Sequence, residues 1–250
     1  GGFFESFQPF RSGLCWSPRS DKIAFITKNE GKNEIRIFDI KLKKHIQTLT
    51  PDFLSLSSPD WSPDGKHLVF SGLRKNFSDL YLINIENHEI TQLTNDIRYE
   101  SDSRFSRDGS GILFTTRDTS GNANRILNKT KPSSNLYSYN IRTKTISQIT
   151  HTPWNEKEAC FSPDGNKIAY ISDKNGINNI YIASFPDISD SKPLTNIIGG
   201  ISNPDWSGES NSIVFSLFQN QGWDIWTIDD PMDKIIDSAL SPTLWVMSQL

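Results

Sequence analysis

Paired acidic residues are the first chemical signal in the sequence. Two segments place carboxylates five and three residues ahead of an aromatic residue, namely Glu100, Asp102, Glu156 and Glu158. Carboxylate oxygens are the ligands that Ca²⁺ prefers, and they also attract cationic peptide segments. We expect these side chains to be solvated or paired with the nearby Arg98, Arg104 and Lys157. A Ca²⁺ site or a cationic-peptide site is the alternative.

Motifs for catalysis are absent from the sequence. It contains no Gly-x-Ser-x-Gly nucleophile turn and no phosphate-binding glycine loop. The four histidines do not form the His-x-x-x-His pair that binds zinc; they are His45, His67, His88 and His151. The sequence therefore predicts no catalytic residue and no cofactor, and no metal beyond the Ca²⁺ alternative.

The composition favours a folded protein of short strands. Only 35% of the 250 residues are hydrophobic, which is lean for a helical bundle or a parallel-sheet enzyme. The 15 Gly and 13 Pro supply turns, and seven Trp argue against disorder. The net charge of −3 gives no attraction to nucleic acid, and no apolar run is long enough for a membrane helix. We expect neither a nucleic-acid partner nor direct membrane insertion.

A sequence repeat organises the chain. Five aromatic anchor residues, each followed by Ser and a short β-type run, are spaced 45, 44, 56 and 45 residues apart: Trp16, Trp61, Phe105, Phe161 and Trp206. Sequences such as Ser62-Pro63-Asp64-Gly65 are turn chemistry, since Pro fixes φ, Asp bonds to nearby N–H groups and Gly accepts positive φ. Four repeats also end in a tail related to Gln92-Leu93-Thr94.

Each repeat predicts four strands in about 45 residues, which is the arithmetic of a β-propeller blade. A single four-stranded sheet cannot bury both of its faces, so the repeats must pack on one another. The sequence therefore predicts an all-β propeller of four-stranded blades with five visible repeats. A β-sandwich is the alternative fold.

The second repeat carries the clearest family resemblance. Its segments Asp60-Trp61-Ser62-Pro63-Asp64-Gly65, Asp79-Leu80-Tyr81 and Gln92-Leu93-Thr94 resemble the TolB-type propeller repeat, and the resemblance spans roughly residues 10–230. It implies a periplasmic or otherwise extracytoplasmic scaffold that binds other proteins, or the propeller part of a larger peptidase. It implies no chemistry by the repeat itself. The turns after Trp16 and Trp206 depart from the pattern, so we expect other geometries there.

The repeats set the predicted domain boundaries. Residues 1–230 form the propeller, and residues 231–250 supply a closing strand or begin a downstream segment. TolB-like propellers usually have six blades, so five repeats suggest part of a six-bladed or longer propeller. We expect a piece of a longer polypeptide or of an envelope complex.

One loop face is the predicted partner-binding surface. The third repeat is about eleven residues longer than its neighbours, and the extra residues fall within 117–135. The connections between blades share that predicted face and carry Phe53, Tyr99, His151, Trp154 and Asn155. Trp and Tyr are typical anchors of protein interfaces. We predict a non-catalytic scaffold that binds a protein or peptide through this face and the channel mouth. The alternatives are a tolerated insertion packed against Trp154 and, for function, the substrate-gating or regulatory propeller domain of a larger hydrolase.

Overall fold

The computed structural model describes residues 6–7, 13–117 and 133–243, so most of the predicted insertion lies outside the described residues. The described residues form two compact units. The first unit holds residues up to 112 with 116–117 and 140–144, and the second unit holds 113–115, 133–139 and 145–243. The third repeat contributes to both units, and each unit is treated by itself below.

The strands follow the predicted repeats, and the all-β fold class is confirmed. The first repeat holds β1 (Ser6–Phe7), β2 (Leu14–Trp16), β3 (Lys22–Asn29), β4 (Lys32–Asp39) and β5 (Lys44–Leu49). The second holds β6 (Ser55–Trp61), β7 (His67–Arg74), β8 (Phe77–Asn84) and β9 (Ile90–Gln92). The third holds β10 (Tyr99–Phe105), β11 (Gly111–Arg117), β12 (Ser134–Asn140) and β13 (Thr145–Gln148). The fourth holds β14 (Glu156–Phe161), β15 (Lys167–Ser172), β16 (Asn179–Ser184) and β17 (Lys192–Pro193), and the fifth holds β18 (Ile201–Trp206), β19 (Ser212–Gln219) and β20 (Gly222–Asp229).

Neighbouring strands within a repeat pair antiparallel. Four strands lie side by side in the second and fourth repeats, and the fifth repeat has three, in the order β18-β19-β20. After β20 comes a short 3₁₀ helix, Pro231–Lys234. In the stretch 235–243 that follows it, the structure has no strand. Among the described residues, no helix has the length and hydropathy needed to cross a membrane.

A serine–carboxylate contact closes the turn between the first two strands. In the second repeat, Ser62 Oγ donates to Asp64 Oδ1 at 2.6 Å and accepts from His67 N at 2.9 Å, while Gly65 takes a φ of 72°. The third and fourth repeats use the same contacts. In the first repeat Asp21 replaces the missing turn aspartate, and it accepts from Ser17 Oγ at 2.8 Å.

A one-residue bulge interrupts the first strand of each repeat. The residue three positions before each anchor has φ between 53° and 63°, and these residues are Gly13, Ser58, Asp102, Glu158 and Asn203. Strand register shifts at the bulge in the second, fourth and fifth repeats. A bulge re-aims the side chain at its position, so these residues leave the regular in–out alternation of the strand.

Threonine clasps join the third strand of a repeat to its tail. Thr94 Oγ1 accepts from Leu80 N at 2.8 Å, and equivalent bonds join Thr150 to Leu136 at 2.8 Å and Thr195 to Ile180 at 2.9 Å. We call these three contacts the threonine clasps. The residue before each clasped Leu or Ile accepts a further backbone N–H from beyond the tail; these acceptors are Asp79, Asn135 and Asn179. The clasps give the recurrent Leu/Ile-Thr tail a physical role.

The cores lie between successive sheets. In the first unit, Ile35 and Ile37 of the first repeat share a buried cluster with Trp61 and Phe70 of the second. In the second unit, the fourth repeat packs in the same way against the fifth, through Ile171, Ile180, Ile182, Trp206, Ile213 and Phe215. The outer face of one sheet is thus buried by the inner face of the next.

We expect Ser62→Ala to lower the free energy of unfolding by about 1–2 kcal/mol, because His67 N loses its acceptor and Asp64 loses its donor. Urea denaturation measures this change. Ser189→Ala, at an exposed loop position, is the control and should change stability by less than about 0.5 kcal/mol. Equal effects of the two substitutions would contradict the structural role of the turn serine.

Candidate functional site

Exposed apolar side chains recur where one repeat connects to the next. In the first unit, Leu54, Ile97 and Tyr99 are 69%, 57% and 41% exposed, and in the second unit Ile198 is 89% exposed. Ile97 and Ile198 each stand four residues after the Leu of a tail. Because these connections join ordered sheets, their exposed side chains are suited to contact with another molecule.

Tyr99 is the member of this set that the sequence identified. It begins β10, where it pairs in parallel with Ser78 of β8, and its ring packs edge-on against Phe77 at 5.7 Å. The adjacent Arg98 binds Asp96 through two nitrogens, at 2.6 and 3.0 Å. The first unit therefore holds an exposed tyrosine ring on a backbone with fixed neighbours.

Phe53 is a core residue, which corrects its sequence-based assignment to the binding surface. It is 7% exposed, and its ring centroid lies 4.5 Å from that of Tyr81 and 5.4 Å from that of Phe70. The Arg74 guanidinium covers the ring at 4.2 Å. The ring fits because position 72 is glycine: a Cβ at Gly72 would lie 2.7 Å from it. We therefore remove Phe53 from the candidate surface.

The other predicted loop residues lie in the second unit. His151 is exposed and Trp154 is half-buried. Asn155 is tied to its surroundings, since its N and Nδ2 donate to the two carboxylate oxygens of Asp173 at 2.7 Å and its Oδ1 accepts from Ser134 N at 3.2 Å. Asn155 thus fixes the loop beside Trp154, and its own side chain is engaged within the second unit.

Sequence reasoning missed Leu54, Ile97 and Ile198. A lone apolar residue in a loop carries no pattern of its own, and surface apolar residues are common. The usable signal was positional, because Ile97 and Ile198 lie at the same distance from their tails.

Glu100 is buried in the first unit, although the sequence placed it at an open channel mouth. It is 1% exposed, and its Oε2 accepts from Leu80 N at 3.2 Å and from the hydroxyl of Thr94. The carboxyl of Glu100 therefore completes a threonine clasp.

Burial favours the neutral form of this carboxyl. It raises the pKa of Glu100 to about 8, and the neighbouring Asp96 and Asp79 act in the same direction. Glu100 Oε1 is buried with no hydrogen-bond partner among the residues described. An ionised oxygen left so would be costly, which agrees with the direction of the pKa change.

Asp102, also in the first unit, sits half-buried at the bulge of β10. Its backbone N donates to Ser58 Oγ, at the bulge of the preceding repeat, at 3.0 Å. Its side chain accepts from Ser101 Oγ at 3.0 Å. The bulge side chain of one repeat thus bonds to the bulge backbone of the next.

The acidic residues of the second unit follow the same division. Glu156 is 3% exposed, and burial raises its pKa. Glu158 is half-buried, pairs with Lys157 at 2.7 Å and accepts from Asn203 N at 2.5 Å. Glu156 is therefore a core carboxyl and Glu158 a link between the fourth and fifth repeats.

The metal alternative has no support in these contacts. Within 6–7, 13–117 and 133–243, no group of three or more His, Cys, Asp or Glu side chains is arranged to hold a metal ion. Glu100, Glu158 and the Asp102 backbone are used in hydrogen bonds that join parts of the fold.

Comparison with known families identifies the repeats. Residues 12–126 match the family described as the TolB beta propeller domain, and residues 106–206 match the N-terminal region of dipeptidyl peptidase IV. The chain is 29% identical over 161 residues to the Tol-Pal system protein TolB of Francisella tularensis subsp. mediasiatica, covering 64% of this chain and 34% of the relative. The chain thus spans about a third of the length of the curated relatives it matches. The TolB-like character of the repeats is confirmed.

Solved structures agree on the fold. TolB from Acinetobacter baumannii superposes with a TM-score of 0.72 at 21% identity, covering 90% of this chain and 53% of that one. A prolyl endopeptidase superposes with a TM-score of 0.61 at 10% identity, covering 93% and 36%. At these identities the likeness establishes the propeller fold alone.

We expect Phe53→Ala to lower the free energy of unfolding by about 3 kcal/mol, because it empties a ring-sized space in the core of the first unit. Leu54→Ala, one residue further on and largely exposed, is the matched control and should change stability by less than about 0.5 kcal/mol. Thermal and urea unfolding measure both. A small effect of Phe53→Ala would return this residue to the candidate surface.

We expect Glu100→Gln to stabilise the protein at alkaline pH. The raised pKa in the folded state means that the stability due to the neutral carboxyl is full below pH 4.5 and is lost as the pH rises through about 8. Gln keeps the acceptor without the charge, so the variant should exceed the parent by about 2 kcal/mol at pH 9 and match it near pH 4.5. Urea titrations at the two pH values measure this. Asp64→Asn is the control of opposite sign, since hydrogen bonding to Ser62 lowers the pKa of Asp64 and its effect should appear as the pH falls below 3.8. A destabilised Glu100→Gln at pH 9 would refute the assignment.

Proposed function

We propose that this TolB-like chain is a non-catalytic propeller scaffold that binds a protein partner through the loops connecting successive blades. The observation that carries the proposal is the recurrence of exposed apolar side chains at these connections in both units, namely Leu54, Ile97, Tyr99 and Ile198. Isolated apolar residues on a surface need no explanation, but their repetition at one backbone position does.

The backbone beneath these side chains supports the proposal. The connection before Tyr99 is held by the Arg98–Asp96 ion pair, and that before Glu156 is held by Asn155 and Asp173. Loops that are ordered before binding lose little conformational entropy when a partner docks. A few aromatic and apolar anchors then suffice for affinity.

The non-catalytic assignment rests on the use of the titratable groups. Carboxyls with raised pKa are candidates for general acid–base chemistry. Here Glu100 accepts from a backbone N–H and a threonine hydroxyl inside the core, where a substrate has no access. The perturbed pKa follows from the structural role of the residue.

The partner class follows from the relatives. The curated relatives are named as TolB proteins of a Tol-Pal system. We propose that the partner is another protein of such a system and that the chain works outside the cytoplasm as part of an envelope complex. The half-buried Trp154 and the exposed His151 are the predicted anchors in the second unit, and Tyr99 is the anchor in the first.

Binding of the immobilised Pal component of a Tol-Pal system, measured by surface plasmon resonance, tests the proposal. We expect Tyr99→Ala and Trp154→Ala each to weaken binding at least tenfold, because each removes an aromatic anchor. Leu42→Ala is the matched control, since Leu42 is 60% exposed but lies in the turn between β4 and β5. No binding by the parent chain, or no loss in either variant, would refute the proposal.

A second candidate function is the propeller domain of a larger hydrolase. The match of residues 106–206 to the N-terminal region of dipeptidyl peptidase IV favours it. In that role the loops would gate substrates for a catalytic domain on the same polypeptide. The complete coding sequence separates the candidates, because an appended peptidase domain would favour the second.

A further inference from the structure

The edge strand β20 of the fifth repeat presents an uncovered surface. Its residues from Gly222 through Thr227 are all exposed, including Ile225 at 80% and Trp226 at 45%. The equivalent residues in other repeats are buried: Leu80, Leu136 and Ile180 correspond to Ile225 and are each 0% exposed. The position is thus apolar in sequence and buried elsewhere, but exposed in β20.

The tail strand is what the fifth repeat lacks. In the second repeat, Leu93 N donates to Leu80 O at 2.8 Å while Leu80 N donates to Thr94 Oγ1. The third and fourth repeats repeat this pair of bonds with Ile149 and Leu194. Three tails on three sheets thus show what lies against this position of a third strand.

The segment that follows β20 takes another course. Ile236 N donates to Pro193 O at 2.8 Å, and Asp237 pairs with Lys192 at 2.8 Å, so this stretch runs beside β17 of the fourth repeat. Leu240 packs against the buried cluster that contains Phe161. Among the described residues, no strand pairs with the outer edge of β20.

We propose that β20 binds an extended segment of a separate partner protein that carries Leu-Thr or Ile-Thr, as an added antiparallel strand. The partner's Leu or Ile N–H donates to Ile225 O, and its Thr hydroxyl accepts from Ile225 N, which reproduces a threonine clasp. Asp224 takes the place of Asp79, Asn135 and Asn179 and accepts the N–H two residues after the Thr. Main-chain pairing at a free edge is an established mode of peptide recognition.

The charges of the edge and the chain's own tails define the occupant. Asp224, Asp229 and Asp230 lie in or directly after β20, so basic residues flanking the segment are favoured. The chain's own tail sequences end at Thr50, Thr94, Thr150 and Thr195 and follow their own third strands. A second copy could donate one only by unfolding a repeat, so the occupant is a different protein. This inference is independent of the blade-connection surface, since it uses none of its residues.

The third-repeat tail supplies a natural probe. A synthetic peptide of residues 142–152 (Arg-Thr-Lys-Thr-Ile-Ser-Gln-Ile-Thr-His-Thr) combines the clasp residues with basic flanks. Added at millimolar concentration to the 250-residue chain, it should slow hydrogen–deuterium exchange of the amides at 223–228 at least tenfold and change Trp fluorescence. The same peptide with Thr150→Val should bind about tenfold more weakly, because it cannot accept from Ile225 N.

Variants of the chain complete the test. Ile225→Arg should abolish peptide binding with the fold intact, since the side chain is 80% exposed. Ile146→Arg, on the exposed strand β13, is the matched control and should bind as the parent does. Asp224→Ala should weaken binding while Asp224→Asn retains it, because Asn serves at the same position in the third and fourth repeats.

Three outcomes would overturn the proposal. The first is unchanged exchange at 223–228 at saturating peptide. The second is equal binding by Ile225→Arg or by the Thr150→Val peptide. The third is strong protection of β20 in the free chain at every protein concentration, which would mean that a segment of the chain itself occupies the edge.

Discussion

The apolar face of each sheet is buried by the sheet of the next repeat, and the other contacts of the fold depend on this packing. Ile35 and Ile37 have no partner layer within their own sheet, and they are buried because Trp61 and Phe70 cover them. The same holds for Ile180 and Phe215 in the second unit. Stability in such an array is shared between neighbours. A low overall apolar content is therefore sufficient.

Hydrogen bonds fix the relative position of adjacent repeats where the apolar contacts are not specific. Ser58 and Asp60 of the second repeat accept from Asp102 N and Phe105 N of the third, at 3.0 and 2.8 Å. Glu158 plays a comparable part toward Asn203 in the second unit. Hydrogen bonds require defined geometry, so these contacts select one alignment of two sheets that greasy packing alone would leave free to slide.

The sequence was sufficient for the features that depend on local patterns. The anchors, the Ser-Pro-Asp-Gly turns and the four strands per repeat all follow from residue types at fixed short spacings. The first turn shows the limit of this reasoning, because Asp21 supplies a carboxylate from a position outside the expected motif. The burial of Phe53 was out of reach, since it depends on the absence of a side chain at Gly72, nineteen residues later. Glu100 was misplaced for the same reason: Thr94 and Leu80, which bind it, belong to another repeat.

The left-handed bulge residues carry an implication for how such repeats diverge. A non-glycine residue in this conformation is less stable than glycine by about 1 kcal/mol, yet four of the five positions hold Ser, Asp, Glu or Asn. Each keeps a polar group whose identity the turn and the anchor do not dictate. After duplication of an ancestral blade, these sites can therefore exchange one chemistry for another without shifting the strands, so drift there is structurally silent and individual blades acquire their differences one residue at a time.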